Sequence, residues 1–103
     1  MGEPATVLIV DDEPRVLDSL EALLAMDYRV LRAGEPKEAL AVLAETAVAA
    51  IVSDQRMPGM TGVELCELVR RDHPSVVRFL ISAYSDLDAV IDAINRGHVD
   101  RYL

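Results

Sequence analysis

Short apolar runs alternate with amphipathic segments along the chain, and this alternation limits the folds that the sequence can adopt. Four apolar runs have the length of buried strands, and they occupy 6–10, 28–33, 48–53 and 76–82. A fifth run begins in the closing HVDRYL. The intervening segments repeat apolar residues at helical spacing over 14–24, 37–44, 63–72 and 86–96. Four successive strand and helix units followed by a strand predict a parallel α/β sheet with helices on both faces.

The composition fits one compact domain over residues 1–103. Apolar residues make up 51% of the chain and aromatic residues only 4%, so Val, Leu, Ile and Ala must fill the core. Arg29 and Arg32 interrupt the second apolar run, which is therefore predicted to lie at an edge of the sheet. Cys66 falls in a helical segment and is predicted to be a small core residue rather than a reactive thiol.

The charge of the chain bears on its partners and its compartment. A formal net charge of -8 argues against direct contact with nucleic acid or an anionic membrane, because phosphate groups bind basic faces. No segment approaches the length of a membrane span, and the N-terminal MGEPAT lacks the basic and apolar regions of a signal peptide. A single cysteine cannot form an internal disulfide, which is typical of the reducing cytoplasm. The sequence predicts a cytoplasmic protein.

Polar side chains stand where three of the predicted strands end. Asp11 and Asp12 follow the first strand, Asp54 follows the third, and Ser82 ends the fourth. In a parallel α/β sheet, functional groups gather at the carboxyl ends of the strands, so we expect the three carboxylates to share one pocket. Like charges at such distances raise a pKa or require a cation, and Mg2+ suits a set of carboxylate oxygens best. Zinc is not expected, since the two histidines lie in different predicted loops.

Each of these acidic features also has a plainer interpretation. The pair Asp11 and Asp12 could cap the helix that follows, where negative charge is favourable. Asp54 could be a turn residue ahead of the Pro- and Gly-rich DQRMPGMTG loop. Taken singly, the two interpretations of each feature stay open. Their occurrence together at successive strand ends favours a common site.

Three motifs occur in order along the chain: VLIVDDEP, IVSDQRMPGMTG and FLISAYSD. In sequence and spacing they resemble the receiver domains of bacterial two-component response regulators. The resemblance covers essentially the whole chain and implies a flavodoxin-like, five-stranded parallel sheet with the strand order 2-1-3-4-5. It also implies a signalling switch rather than an enzyme with an external substrate.

The resemblance implies a role for each acidic residue. Asp54 matches the phosphoacceptor, which takes a phosphoryl group from a sensor histidine kinase or a histidine phosphotransfer protein. Asp12 matches the direct Mg2+ ligand, Asp11 the ligand that acts through water, and the backbone carbonyl of Arg56 completes the set. Glu13 is expected to stand beside the site rather than in it.

The resemblance also implies which residues respond to phosphorylation and which residues set the lifetime of the phosphorylated state. Ser82 matches the switch hydroxyl, small Ala83 leaves room for its approach, and Tyr102 matches the aromatic that rotates inward with it. Arg56 and Tyr84 match variable positions beside the path of the attacking water. We expect bulky Tyr84 to shield the acyl phosphate and to prolong its lifetime.

The sequence departs from the family at its end. Receiver domains continue into a Lys-Pro turn and a fifth helix, whereas this sequence ends at Leu103 and its single lysine is Lys37. The missing helix and lysine predict a fragment of a longer regulator, weaker phosphorylation, and an exposed apolar face beside the first helix that could form a homodimer. The output domain is expected to act in transcription or in cyclic-dinucleotide hydrolysis.

Two other functions are compatible with parts of the pattern. A phosphatase of the haloacid dehalogenase type also uses Asp and Mg2+, but its two aspartates are two positions apart on the first strand, and it needs a downstream lysine. A receiver fold that acts by docking alone would not need the acidic residues. The intact set of Asp11, Asp12, Asp54 and Ser82 argues against that second alternative.

Overall fold

A computed structural model describes residues 4–81 and the backbone of a short strand at 101–102. The strands in these ranges are β1 (Thr6–Val10), β2 (Arg29–Ala33), β3 (Ala50–Asp54), β4 (Val77–Ile81) and β5 (Arg101–Tyr102). The helices in the same ranges are α1 (Pro14–Leu24), α2 (Pro36–Glu45) and α3 (Gly62–Asp72). The fourth helix predicted from the sequence lies outside the described residues.

The strands form one parallel sheet in the order β2-β1-β3-β4-β5, as the sequence predicted. β1 lies inside the sheet, with Leu8 paired to Leu31 on one side and to Ile51 on the other. β2 is an edge strand, and both of its arginines are exposed. Arg32 donates from Nη1 to Asp18 at 2.8 Å and to Glu21 at 2.9 Å, which links this edge to α1.

Several element boundaries differ from the predicted ones by one or two residues. β2 begins at Arg29 rather than at position 28, because the Tyr28 N–H still bonds to the Leu24 carbonyl at the end of α1. α2 begins at Pro36, one residue early, because proline suits the first helical position, where no N–H partner is needed. β3 runs from Ala50 through Asp54, so it begins two residues later and ends one residue later than the predicted 48–53. The last residue of β3 is therefore the predicted phosphoacceptor itself.

The period-two alternation of the strands divides the core between the two faces of the sheet. Leu8, Val10 and Ile51 pack with residues of α2 and α3. Their neighbours in sequence point the other way, so that Ile9 and Val52 pack with Leu17 of α1. Helices therefore cover both faces, as predicted. Cys66 is fully buried against Leu80, which confirms its prediction as a core residue.

An apolar groove of about 360 Å³ lies on the α1 side of the sheet. Its walls include Leu24, Val52 and Phe79, and Val77 at its edge is 41% exposed. This groove is on the sheet face beside the first helix, for which the sequence predicted exposed apolar side chains, and that exposure stays a prediction. Homodimer formation through that face stays a prediction. None of the described helices combines the length and apolar character needed to cross a membrane.

Candidate metal centre

The carboxyl ends of β1 and β3 bring three aspartates together. Val10 pairs with Ser53 in the parallel ladder, so the next residues along the two strands are Asp11 and Asp54. One carboxylate oxygen from each of Asp11, Asp12 and Asp54 lies within 4.8 Å of the others. The structure therefore places the three carboxylates in one pocket, as the order of strand ends predicted.

The three carboxylates differ in burial. Asp11 is only 6% exposed, and its N–H donates to the Ala33 carbonyl at 3.2 Å, which continues the hydrogen bonding between β1 and β2 by one residue. Asp12 is exposed, and Asp54 is half-buried at the end of β3. The pocket is therefore open to solvent on the Asp12 side.

Burial and mutual repulsion shift the protonation of two of these groups. Burial raises the pKa of Asp11 to about 6, against the hydrogen bond that its Oδ1 accepts from the Glu13 N–H, and the charges of Asp54 and Asp12 add to the rise. Burial also raises the pKa of Asp54, opposed by the backbone N–H of Gln55 and reinforced by the charge of Asp12. Without a cation, the pocket resists full ionisation.

The donor set fits a hard divalent cation. Three carboxylates supply oxygen ligands only, and one exposed side leaves room for water or for a phosphate oxygen. Mg2+ has this preference, whereas zinc favours histidine and cysteine ligands. Among the described residues, the His, Cys, Asp and Glu side chains form one cluster of this kind.

Neither aspartate is the N-cap residue of α1, although Asp11 Oδ1 accepts a hydrogen bond from the Glu13 N–H at the start of that helix. The residue that caps α1 is Glu13, whose side chain makes no capping hydrogen bond, and the first turn of α1 contains no acidic residue. The charge of Glu13 contributes to the raised pKa of Asp54, so Glu13 lies near the pocket without belonging to the cluster of three. This is the position beside the site that the sequence predicted.

Helix α3 starts directly against the end of β3. Thr61 and Glu64 form a capping box, in which the Thr61 Oγ1 accepts from the Glu64 N–H and the Glu64 Oε1 accepts from the Thr61 N–H. Gly62, the first helical residue, is so close that a Cβ there would collide with the Asp54 carbonyl oxygen and lie 2.6 Å from Leu80 Cδ1. Glycine is therefore required for the helix to pack on the strand that carries Asp54.

We expect Gly62→Ala to lower the free energy of unfolding by about 2 kcal/mol or more, because the added methyl group meets backbone atoms that cannot move independently. Gly34→Ala is the matched control, since nothing lies within 4 Å of a Cβ at Gly34. Urea unfolding of both variants measures the effect. Equal stability of the two variants would show that the close approach of α3 to β3 is wrong.

The structure describes only some of the other site residues that the sequence predicted. Arg56 is exposed in the loop two positions after Asp54. Ser82, Ala83 and Tyr84 lie outside the described residues. Tyr102 belongs to β5, where its backbone pairs with Leu80, and its side chain lies outside the description.

Two residues of structural importance to the site were not predicted. Gly62 carried a signal, since glycine has a low helix propensity and yet directly precedes the third predicted helix. Gln55 is 3% exposed although it follows a strand end, and its sequence gave no sign of burial. Both residues join the Asp54 strand to α3.

Comparisons with known proteins agree with this geometry. The response regulator receiver domain profile matches residues 7–103. The hydrogenase transcriptional regulatory protein HoxA of Cupriavidus necator is 43% identical over 99 residues, which cover 96% of this chain and 20% of HoxA. The chain thus spans about a fifth of the length of curated relatives of this kind.

Solved structures show the same fold. An uncharacterized protein from Neptuniibacter caesariensis is 38% identical in sequence and superposes with a TM-score of 0.95. The match covers 99% of this chain and 77% of the Neptuniibacter chain. The response regulator TrrA from Thermotoga maritima, solved in complex with Mg(2+)-BeF, is 26% identical with a TM-score of 0.84, over 96% of this chain and 84% of its own. The profile match over nearly the whole chain, together with these likenesses, shows that the protein belongs to the response regulator receiver domain family.

Proposed function

We propose that Asp54 accepts a phosphoryl group from a sensor histidine kinase or a histidine phosphotransfer protein in a Mg2+-dependent reaction. The observation that carries the proposal is the convergence of Asp11, Asp12 and Asp54 within 4.8 Å at the carboxyl end of the sheet. Asp54 suits the role of nucleophile because it is the half-buried member, held at the end of a strand. The Mg(2+)-BeF complex of TrrA supports the choice of metal.

Each site residue has a different role in the proposed phosphoryl transfer. A carboxylate oxygen of Asp54 forms a bond to phosphorus while the bond from phosphorus to the histidine nitrogen breaks, and the electron pair of that bond returns to the imidazole. Asp12 would hold the metal directly, Asp11 would hold it through water, and the Arg56 carbonyl would complete the protein ligands. The bound metal would neutralise charge on the carboxylates and the phosphoryl oxygens.

Ser82 and Tyr102 are proposed to change the conformation of the protein surface when Asp54 is phosphorylated, and small Ala83 would leave space for Ser82 to approach. Arg56 and Tyr84 are proposed to set the lifetime of the acyl phosphate. The output is proposed to be transcriptional, because HoxA is a transcriptional regulatory protein and this chain covers 96% of its own length in that match. Cyclic-dinucleotide hydrolysis has no comparable support. A cytoplasmic location, which a lone buried cysteine fits, is part of the same proposal.

Incubation with acetyl phosphate and Mg2+ tests the proposal. The wild-type protein is expected to gain the mass of one phosphoryl group on Asp54, and Asp54→Asn is expected to gain none. Glu13→Gln is the matched control, because it removes one negative charge beside the pocket and leaves the cluster of three intact. It is expected to remain phosphorylated.

An unmodified wild-type protein, or a phosphoryl group mapped to a residue other than Asp54, would contradict the proposal. Continuous turnover of a generic phosphomonoester would instead indicate a phosphatase. We expect no such turnover, since a receiver domain acts once on itself.

A further inference from the structure

Gln55 is a buried polar residue directly beside the phosphoacceptor. Its N–H donates to the Ile81 carbonyl at 3.1 Å, and its carbonyl accepts from the Gly62 N–H at 2.9 Å. Its side-chain Oε1 accepts from the Val63 N–H, also at 2.9 Å. These bonds tie one residue to β4 on one side and to the start of α3 on the other.

The first turn of α3 depends on this residue. A helix leaves its first N–H groups without partners in the helix itself. Here the Glu64 N–H bonds to Thr61 Oγ1, whereas the Gly62 and Val63 N–H groups both bond to Gln55. The capping box is local to the helix and its preceding loop. Gln55 instead connects the helix to the strand that ends in Asp54.

This connection bears directly on the metal centre. Asp54 directly precedes Gln55, and the Asp54 carbonyl lies against Gly62 of α3. The end of β3 is therefore held between α3 and β4. Arg56, whose carbonyl is a proposed metal ligand, follows Gln55. An apolar side chain at position 55 would leave the part-buried Val63 N–H without its acceptor, and the first turn of α3 would lose one of its two hydrogen bonds to Gln55.

We propose that Gln55 is a positioning residue for the metal centre, which holds Asp54 and the Arg56 carbonyl in place by fastening the end of β3 to the first turn of α3. The inference rests on the proposed function, because it assumes that these groups bind Mg2+. Gln55 would contact neither the metal nor the phosphoryl group. It would instead determine how well Asp54 and the Arg56 carbonyl bind the metal.

Gln55→Met is the primary test, since methionine has a similar length but no oxygen acceptor. We expect its dissociation constant for Mg2+, measured by titration of backbone amide NMR signals, to rise about tenfold, as is typical when a group that orients a metal ligand is lost. Hydrogen exchange at Val63 is expected to accelerate in the same variant. Gln55→Glu keeps an acceptor for the Val63 N–H and is expected to restore slow exchange at Val63.

Thr61→Val is the matched control, because it removes another capping acceptor of the same helix without touching the link to β3. It is expected to weaken the helix but to leave the Mg2+ dissociation constant unchanged. If Gln55→Met does not fold, Gln55→Asn provides the same test, since its amide is one methylene too short to reach Val63.

An unchanged Mg2+ affinity in the folded Gln55 variant would overturn the inference, as would an equal loss of affinity in Thr61→Val. Either result leaves the proposed function intact. A wild-type protein that bound no Mg2+ would overturn the proposed function and this inference together.

Discussion

Replacing Asp11 with asparagine is expected to raise the free energy of unfolding of the metal-free protein near neutral pH, by up to about 3 kcal/mol. Folding places this carboxylate in a buried position beside two other acidic groups, and its pKa rises from 3.8 to about 6 as a result. Asparagine has nearly the same shape and can still accept the hydrogen bond from the Glu13 N–H through Oδ1. It carries no charge, so the repulsion and the burial penalty both disappear.

Urea unfolding in the presence of a chelator measures this effect. Asp27→Asn is the control, because it makes the same change of charge at an exposed position outside the cluster. The same Asp11→Asn variant is expected to bind Mg2+ more weakly than the wild type, since one ligand of the set loses its charge. Asp11 would then be kept for function at the expense of stability. A metal-free variant no more stable than the wild type would contradict this explanation.

Asp11 and Asp54 are expected to make the metal-free protein less stable as pH rises from about 4 to about 7. A carboxyl group with a raised pKa in the folded state binds its proton more tightly there than in the unfolded chain. Its contribution is therefore fully present below the unfolded value of 3.8 and is lost as pH rises through the folded value of about 6 for Asp11. Asp54, whose pKa is also raised, acts in the same direction.

Denaturation across this pH range, with a chelator and with Mg2+, tests the expectation. Mg2+ at about a hundred times its dissociation constant should add about 2.7 kcal/mol near neutral pH, because it binds the folded state alone. The metal should add little at acid pH, where protons compete for the carboxylates. The Asp11→Asn variant should show a smaller loss of stability with pH than the wild type. A metal-free stability that increased steadily with pH would contradict the assigned direction.

The position of the site could be predicted because it follows from topology. Once alternating strands and helices imply a parallel sheet, residues that follow neighbouring strands must meet at one edge, and this is where Asp11 and Asp54 lie. The bounds of β1 were predicted to the residue, since its continuous apolar run ends directly at the acidic pair. Local pattern and global fold agree at this end of the sheet.

What the sequence did not reveal depends on contacts between distant elements. Asp11 and Asp12 are identical in type, yet one is buried and the other exposed, and only Asp11 continues the backbone hydrogen bonding of β1 to Ala33. Gln55 looks like an ordinary loop residue until the start of α3 is seen to use its side chain. Gly62 could be recognised as unusual, but the atom that excludes a Cβ belongs to a strand eight residues earlier.

The proposed function requires the carboxyl ends of β1 and β3 to form one divalent metal site. Mn2+, which accepts the same oxygen ligands as Mg2+ and broadens NMR signals of nearby nuclei, tests it most directly. We predict that low concentrations of Mn2+ broaden the amide signals of residues 11–13 and 54–57 first, and that excess Mg2+ reverses the effect. The signals of residues 46–49, before the amino end of β3, should stay sharp. Broadening centred away from the three aspartates, or none at all, would contradict the account.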